Sequence, residues 1–221
     1  MKKKHTENQN QTANDAQCVV KAPNLRVAEF LIEGVSPYVQ QAFSAEATQM
    51  IMEKQMAGSQ ANKKKGAREA KDFDKRYQQA MHRTEKGELG IPAPAFRNAM
   101  ISACRLVGFK MTLAKLSVEV DADGFDAADG TPLVFFVKGE PEKAIHHVRL
   151  ATGVCDLAVR AMWRAGWRAK LRVRYDADQF ALQDLANLLL RAGLQVGIGC
   201  GRPDSRTSNG CGWGKFQIVN G

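Results

Sequence analysis

The clearest pattern of apolar and polar positions lies between residues 167 and 175, where the two kinds of side chain alternate strictly. The apolar set is Trp167, Ala169, Leu171, Val173 and Tyr175, and the polar set between them is Arg168, Lys170, Arg172 and Arg174. Because successive side chains of a β-strand point to opposite faces, the alternation predicts a strand with one buried face and one face of four cations. No acidic residue occurs from position 157 to 175. Cations without interleaved acids repel one another, so this basic strand is predicted to track phosphate groups.

Other periodic segments predict further strands and helices along the chain. Apolar runs predict strands at residues 25–34, 116–120, 133–137, 145–150 and 215–219, and a short strand within 196–199. Apolar residues at helical spacing predict helices after Ser44 and over residues 72–82, 94–107 and 182–191. The mixture predicts a single α+β domain over residues 23–221, with residues 44–90 inserted as a helical and basic extension. Residues 1–22 are polar and are predicted to form a disordered arm.

A glycine-rich segment near the end of the chain is the second strong pattern. Its glycines are Gly197, Gly199, Gly201, Gly210, Gly212 and Gly214. Glycine lets the backbone approach a ligand closely and take positive φ, and the exposed N–H groups can then face an anion. Arg202 and Arg206 lie inside the segment and Lys215 follows it, so a phosphate group is the expected ligand. Trp213 is the best placed aromatic residue for stacking against a nucleic-acid base.

The overall charge agrees with an anionic partner. The 221 residues include 32 Lys and Arg against 23 Asp and Glu, which leaves a formal net charge of +9. A basic surface attracts nucleic acid and other polyanions. The inserted extension adds a run of cations that are candidate contacts to the same partner, namely Lys63, Lys64, Lys65 and Arg68.

The cysteine pattern argues against a metal centre. The five cysteines are scattered, none forms a C-x-x-C pair, and only four histidines accompany them, so neither a metal nor a cofactor is expected. No apolar run is long enough to cross a membrane, and no apolar region of a signal peptide follows the basic N-terminus. A cytoplasmic protein without membrane contact is therefore expected.

His146 and His147 are the reasonable candidates for a general base. They are adjacent on a predicted strand, so their side chains point to opposite faces and cannot act as a pair. No Ser–His–Asp order, H-E-x-x-H motif or G-x-x-x-x-G-K-[ST] phosphate loop occurs in the chain, and the sequence therefore favours a protein that is not an enzyme. In-line RNA cleavage assisted by one histidine, with Tyr77 or a lysine, stays open as an alternative.

Two blocks of sequence resemble a known superfamily. Gly90–Met100 resembles the turn and helix of the CRISPR-associated RAMP proteins, which are crRNA-binding backbone subunits, and Val196–Phe216 resembles their glycine-rich loop and last strand. The resemblance implies an RRM-like or ferredoxin-like βαββαβ core with insertions. It also implies head-to-tail assembly along a nucleic-acid strand, with one groove lined by Arg97, the extension, the basic strand and the glycine-rich segment. A stand-alone member encoded by a phage or prophage fits the two blocks as well as a true effector subunit does.

The first hypothesis is a non-catalytic protein that binds single-stranded RNA or DNA as a homo-oligomer or filament. Other subunits of a CRISPR-like or phage complex are candidate partners. The residues predicted to bind nucleic acid are Lys63, Lys64, Lys65, Arg68, Arg97, Arg168, Lys170, Arg172, Arg174, Gly199, Gly201, Arg202, Arg206, Gly212, Trp213 and Lys215. The second hypothesis is a metal-independent RAMP-type endoribonuclease with His146 or His147 as the general base. The third is an interaction protein that inhibits a nucleic-acid complex without binding nucleic acid itself.

Overall fold

The computed structural model describes residues 20–43, 45–58, 70–149, 152–205 and 210–219. In these residues the strands are β1 (Leu25–Gly34), β2 (Tyr38–Gln40), β3 (Gly90–Pro92), β4 (Val118–Asp121), β5 (Gly124–Phe125), β6 (Pro132–Lys138), β7 (Pro141–Arg149), β8 (Cys155–Trp163), β9 (Arg168–Asp176) and β10 (Phe216–Ile218). The α-helices are α1 (Ala45–Ala57), α2 (Phe73–Gln79), α3 (Ala93–Ala103), α4 (Met111–Ser117) and α5 (Leu182–Arg191). A 3₁₀ turn, Cys104–Leu106, follows α3, and a π-helical turn, Ala192–Val196, follows α5. The protein is therefore of the predicted α+β class, with antiparallel sheets.

Strand β9, which contains the basic strand, lies in the middle of the larger sheet. Along one edge it pairs antiparallel with the whole of β1, from Leu25 opposite Asp176 to Glu33 opposite Arg168. Its other edge pairs with β4 along one half and with the end of β6 along the other. Strand β10 extends the sheet beyond β1, and β3 extends it beyond β6. The four cations of β9 therefore have neighbouring strands on both sides.

Helices α3 and α5 cover one face of this sheet. Phe96 and Met100 of α3 and Leu185 and Leu189 of α5 are fully buried there. The apolar set of the basic strand lies beneath them and is at most 5% exposed. Full burial of an apolar side chain of this size contributes about 1.5 to 3 kcal/mol to folding. The predicted division of the basic strand into a buried apolar face and a partly exposed cationic face is confirmed.

A smaller sheet consists of the long β7–β8 hairpin, with β2 added along β8. Aromatic rings join it to the larger sheet. The rings of Phe136 and Trp163 stack with centroids 4.6 Å apart, and the Tyr38 ring lies 5.6 Å from that of Trp163 and 5.7 Å from that of Trp167. Because the hairpin leads into β9, this cluster holds it beside the Arg168 end of the strand.

Most predicted elements occur within a few residues of their expected positions, but the strand predicted from Leu116 is an exception. Helix α4 occupies Met111–Ser117, and strand β4 begins only at Val118. Within α4 the Ala114 side chain is buried and Leu116 is 83% exposed, which is the arrangement of a helix and not of an alternating strand. The local apolar run resembled a strand because α4 passes into β4 without a turn residue between them.

The short strand predicted within residues 196–199 is also wrong. The chain leaves α5 through a π-helical turn that ends at Val196, and the next residues extend without joining a strand. Val196 and Ile198 are both buried because they pack in the core of the larger sheet and its helices. None of the helices in the described ranges has the length and the apolar character that a membrane-spanning helix needs.

Candidate functional site

The glycine-rich segment folds over strand β2. The Gly214 N–H donates to the Pro37 carbonyl at 2.7 Å, and the Cys200 N–H donates to the Val39 carbonyl at 2.8 Å. The Ile198 N–H donates to the Gly214 carbonyl at 3.0 Å, which ties the two arms of the segment together. Since β2 pairs with β8, these bonds place the segment beside the β7–β8 hairpin.

Two glycines of the segment are required by close approach of backbone to backbone. A Cβ on Gly214 would lie 1.8 Å from the Ile198 carbonyl oxygen, and one on Gly199 would lie 2.5 Å from the Val39 carbonyl oxygen. Their φ angles are +69° and +73°, which residues with a side chain rarely adopt. Packing of the chain on itself therefore accounts for glycine at both positions without a ligand.

Trp213 extends from the segment onto the hairpin. Its ring lies against His146, with ring centroids 4.8 Å apart. On another side the backbone of Gly201 is so close that a Cβ there would lie 2.4 Å from the indole ring. The indole is half-buried between these neighbours. A base that stacks on Trp213, as the sequence predicts, has to use the part of the ring that His146 and Gly201 leave exposed.

His146 and His147 occupy opposite faces of β7, as predicted for adjacent residues of a strand. His147 is exposed, whereas His146 is half-buried, and its Nδ1 atom has no hydrogen-bond partner among the described residues. Burial lowers the pKa of His146, and the positive charge of Arg160 lowers it further. The imidazole of His146 is therefore neutral at pH 7 and able to accept a proton.

Two arginines bring positive charge to this surface. The Arg160 Nε–H donates to the Gln41 side-chain carbonyl at 3.3 Å, and the Arg202 Nη1–H donates to the Gly199 backbone carbonyl at 3.0 Å. Both acceptors are neutral, so these hydrogen bonds orient the guanidinium groups without cancelling their charge. We call the surface formed by these side chains and their neighbours the loop site; its members are His146, Arg160, Cys200, Arg202 and Trp213.

The pKa of Cys200 is affected by the positive charge of both arginines of the loop site. Burial raises the pKa of Cys200, and the guanidinium groups of Arg160 and Arg202 act in the opposite direction. Asp204 is a carboxylate that also interacts with Arg202, but it forms an ion pair with Arg105 at 2.5 Å, and that bond is the main reason why its pKa is lowered. An anionic ligand at the loop site would therefore meet two guanidinium groups that neutral atoms hold in place.

Each of the four cations of the basic strand has a carboxylate partner. The ion pairs are Arg168–Glu33 (2.6 Å), Lys170–Glu29 (2.6 Å), Arg172–Asp123 (2.9 Å) and Arg174–Asp121 (3.0 Å). The acids belong to β1, to β4 and to the residues that follow β4, on both edges of β9. The repulsion expected within the isolated strand is therefore relieved by its neighbours, which the sequence of the strand alone does not indicate.

The remaining predicted contact residues are dispersed. The Arg97 guanidinium donates to the Val118 carbonyl at 2.9 Å and also to the Lys115 carbonyl, and so joins α3 to the junction of α4 and β4. Lys215 directly precedes β10, and its Nζ lies 3.9 Å from the position that a Cβ on Gly212 would take, at the edge of the glycine-rich segment. The predicted contacts that lie outside the described residues are Lys63, Lys64, Lys65, Arg68 and Arg206.

His82 and Asp126 form a partly buried histidine–aspartate pair that no motif of the sequence indicates. His82 Nδ1 lies 2.6 Å from Asp126 Oδ2, and the two side chains are 15% and 6% exposed. Asp126 Oδ1 also accepts a hydrogen bond from the Ala128 N–H at 2.7 Å. The pair joins the residues after α2 to the loop before β6. Its members are 44 residues apart, and no local pattern marks a contact over that separation.

Neither the models of known protein families nor the sequences of curated proteins match this chain. The resemblance to RAMP proteins therefore remains a prediction from the two short blocks Gly90–Met100 and Val196–Phe216.

Proposed function

We propose that this protein binds single-stranded RNA or DNA without catalysis, as a cytoplasmic oligomer that assembles along the strand. The loop site contacts phosphate groups in this proposal, and the basic strand is a second contact. The chain is then a RAMP-like protein, either a subunit of a CRISPR-like complex or a stand-alone phage or prophage protein.

The observation that carries the proposal is the juxtaposition of two guanidinium groups and a partly exposed indole at the loop site. Arg160 and Arg202 hydrogen-bond to neutral oxygens, and the positive charge of both acts on the half-buried Cys200 thiol, where it opposes the rise in pKa that burial causes. Guanidinium groups form strong, often bidentate, hydrogen bonds to phosphate. An aromatic ring next to such a cation adds stacking to a base, and neither contact depends on the base sequence. The expected binding is therefore independent of sequence.

The connectivity of the larger sheet supports an RRM-like or ferredoxin-like core. Its elements follow one another as β1, α3, β4 with β6, β9, α5 and β10. In space β10 lies beside β1 and β1 beside β9, while β4 and β6 share the other edge of β9. A β-α-β-β-α-β order is characteristic of that class. The β7–β8 hairpin and residues 44–90 are then insertions into this core.

In this proposal the basic strand binds phosphate groups only when they displace the carboxylates paired with its cations. Its cations are between 40 and 57% exposed, and exposed ion pairs contribute only about 0 to 1 kcal/mol each. A polymer that brings several phosphates at once can displace the four carboxylates if it passes over this face. Binding at the loop site requires no such displacement, so the loop site is expected to dominate the affinity.

Fluorescence anisotropy of the full chain with labelled single-stranded RNA, single-stranded DNA and duplex DNA, over a series of salt concentrations, tests the proposal. Binding to a single strand is expected, with an affinity that falls steeply as salt rises. The double variant Arg160→Gln, Arg202→Gln is expected to lose about tenfold or more in affinity. Its salt slope should fall by about two, because each lost phosphate contact removes about one.

A matched control removes two exposed arginines away from the loop site. Arg26→Gln, Arg191→Gln makes the same change in net charge, at the far end of β1 and on α5, and should leave the affinity nearly unchanged. Equal losses in the two double variants would show that only net charge matters. Flat anisotropy for all three nucleic acids at low salt would overturn the proposal and favour a protein that acts through protein partners.

One observation favours a second candidate function, a metal-independent endoribonuclease. The half-buried imidazole of His146 lies beside Arg160, and burial together with the positive charge of Arg160 lowers its pKa, so that it is neutral at pH 7. In-line RNA cleavage needs a base that accepts the 2′-hydroxyl proton as the 2′-oxygen attacks phosphorus, and a cation that stabilises the pentacoordinate phosphorane. The bond from phosphorus to the 5′-oxygen then breaks, the 5′-oxygen takes a proton from water, and a 2′,3′-cyclic phosphate is left. Cleavage of a short hairpin RNA should then be lost in His146→Ala and kept in His147→Ala, whose imidazole is on the other face of β7. Intact RNA after long incubation with the wild type would exclude this candidate.

A further inference from the structure

One side of helix α5 carries a stripe of side chains with a charge at each end. Asp184, Asn187, Leu188 and Arg191 are three or four residues apart in succession, so they lie along the same side of the helix. Leu188 is buried, whereas the other three are exposed. The two charged residues are seven positions apart, which places them about 10 Å from each other along the helix axis.

A groove of about 770 Å³ runs along this stripe, between α5 and the residues that follow α3. The buried side chains of Cys104, Phe180 and Leu188 form its floor, and the partly exposed Val107 and Leu194 extend its apolar lining. Sites for small molecules have volumes of about 300 to 1,000 Å³ and are mostly apolar, with a few polar groups that orient the ligand. The groove therefore has the size and the lining of such a site.

The two ends of the groove differ in chemistry. Near the start of α5, the rings of Phe109 and Phe180 pack with centroids 4.8 Å apart, and both residues line the groove. Near the end of α5, the Arg191 Nη1–H donates to the Gln195 side-chain carbonyl at 3.3 Å, and these two side chains also line the groove. One end is therefore aromatic, and the other presents a cation with an amide beside it.

The charge of Arg191 is available to a ligand. Gln195 is neutral, so its hydrogen bond orients the guanidinium without cancelling the charge. Arg191 takes part in none of the ion pairs that the described residues form. Asp184 lies at the other end of the stripe, in the first turn of α5, where the helix N-terminus stabilises a carboxylate. The net charge of +9 also favours an anionic ligand over a cationic one.

We propose that the groove binds a free straight-chain amphiphile with a carboxylate head, that is, a fatty acid. The carboxylate accepts hydrogen bonds from the Arg191 guanidinium, whose planar fork matches it, and from the Gln195 amide. The alkyl chain runs back along α5, over Leu188, toward Phe109 and Phe180. The inference goes beyond nucleic-acid binding and does not depend on it, because no member of the loop site lines the groove.

Isothermal titration calorimetry of the full chain with hexanoate, octanoate, decanoate and dodecanoate, each below its micellar concentration, tests the inference. The affinity should rise about tenfold from one acid to the next, because each added pair of methylene groups leaves water for the apolar groove. Binding too weak to measure for all four acids at about 1 mM would overturn the inference. Equal affinities for all four would also overturn it, since the chain would then lie outside the groove.

A change of the head group tests the role of Arg191. The wild type should bind octanoate more tightly than octanol, and octanol more tightly than octylamine. Arg191→Gln should lower the affinity for octanoate by about threefold and leave that for octanol unchanged. Asp184→Asn is the matched control at the other end of the stripe and should keep the preference for octanoate. Tightest binding of octylamine would overturn the inference, because it would assign recognition to Asp184.

A pair of tryptophan variants tests whether the ligand lies in the groove. Val107 and Leu106 are neighbours and are both 51% exposed, but only Val107 lines the groove. Val107→Trp should fill the groove and lower the affinity for decanoate by about tenfold or more, whereas Leu106→Trp should bind like the wild type. Circular dichroism and thermal unfolding check that both variants fold. Equal affinities in the two folded variants would place the ligand elsewhere and overturn the inference.

The same measurements separate this inference from the proposed function. Val107→Trp leaves the loop site intact, so its anisotropy titration with a single strand should match that of the wild type. The loop-site variant Arg160→Gln, Arg202→Gln should in turn bind decanoate like the wild type. Fatty-acid binding without nucleic-acid binding would refute the proposed function alone, and nucleic-acid binding without fatty-acid binding would refute this inference alone.

Discussion

The basic strand and the loop site are both basic in the sequence, yet they differ in the charge that the fold leaves available. The basic strand has four cations within nine residues, and each lies within 3.0 Å of a carboxylate. The loop site has two arginines, whose hydrogen bonds go to neutral oxygens. The segment with more cations is therefore the more nearly neutralised surface. The number of cations along a segment does not measure the charge that a ligand meets.

The difference arises from what lies beside each region. Strand β9 is interior to an antiparallel sheet, so side chains of β1 and β4 lie next to its own on the same face. Opposite charges on neighbouring strands stabilise such a pairing, and like charges would oppose it. The loop site forms where a loop crosses a hairpin, and there arginine side chains meet a backbone carbonyl and an amide. Strands that flank a row of cations thus place carboxylates beside it, whereas the loop that crosses the hairpin places neutral acceptors beside its arginines.

The largest expected effect comes from the glycine that holds the loop site together. Gly214→Ala would set a Cβ 1.8 Å from the Ile198 carbonyl oxygen, and should lower the free energy of unfolding by about 3 kcal/mol or more. Gly212→Ala is the matched control, because its φ is also positive but only the flexible end of Lys215 is near; about 1 to 2 kcal/mol is expected there. Urea denaturation measures both. Equal costs would mean that the segment is not packed closely on itself.

The next largest effects are expected on nucleic-acid affinity, which should fall less in variants of the basic strand than in variants of the loop site. Lys170→Gln, Arg174→Gln removes two cations of the basic strand and should lower the affinity by less than about threefold, because phosphate has to displace carboxylates there. The loop-site double variant should lose about tenfold or more in the same anisotropy titration. A larger loss in the strand variant would reverse the ranking and make the open face of the sheet the main binding surface.

Removal of the carboxylates should make the cations of the basic strand available to nucleic acid, as those of the loop site are. Glu29→Gln, Asp121→Asn leaves Lys170 and Arg174 without their partners, and should raise the affinity for a single strand by about threefold with a steeper salt dependence. Thermal unfolding should change little, since each exposed pair contributes about 0 to 1 kcal/mol. An unchanged affinity at low salt would show that the nucleic acid does not pass over the basic strand.

The smallest expected effect is a pH dependence of the free energy of unfolding, which is caused by His146 of the loop site. Burial and Arg160 lower the pKa of His146 in the folded chain, so below about pH 6.5 the unfolded chain binds more protons there than the folded chain does. The free energy of unfolding should therefore fall as the pH is lowered from about 6.5 toward the folded pKa. His146→Gln should flatten this slope in urea titrations between about pH 5 and 7, whereas His147→Gln should keep it. Equal slopes in the wild type and in His146→Gln would contradict the assignment.

The elements that local periodicity defines were predictable. Strand β1, the alternation of β9 and helix α5 occur where their patterns placed them, because the apolar positions of each pattern include residues that are buried in the core. The boundary between α4 and β4 was not predictable, since the burial of Ala114 and Val118 depends on packing against other elements.

The candidate site was predictable only in part. Arg202 and Trp213 stand in a glycine-rich segment that the sequence marks clearly. Arg160 has no such mark, because it reaches the loop site through the register of the hairpin, where it lies opposite Ala144, two residues before His146. A strand pairing of this kind follows from the whole fold and not from the residues around Arg160.

By itself, the sequence determined the α+β class, the two-faced character of β9 and an excess of positive charge, because these depend on local period and on composition. Only the tertiary structure decided where that charge is available. Arg168 and Glu33 are 135 residues apart in the chain and 2.6 Å apart in the fold, and pairs of this kind neutralise the basic strand. Electrostatic interaction depends on distance in space, and the order of residues sets that distance only within one element.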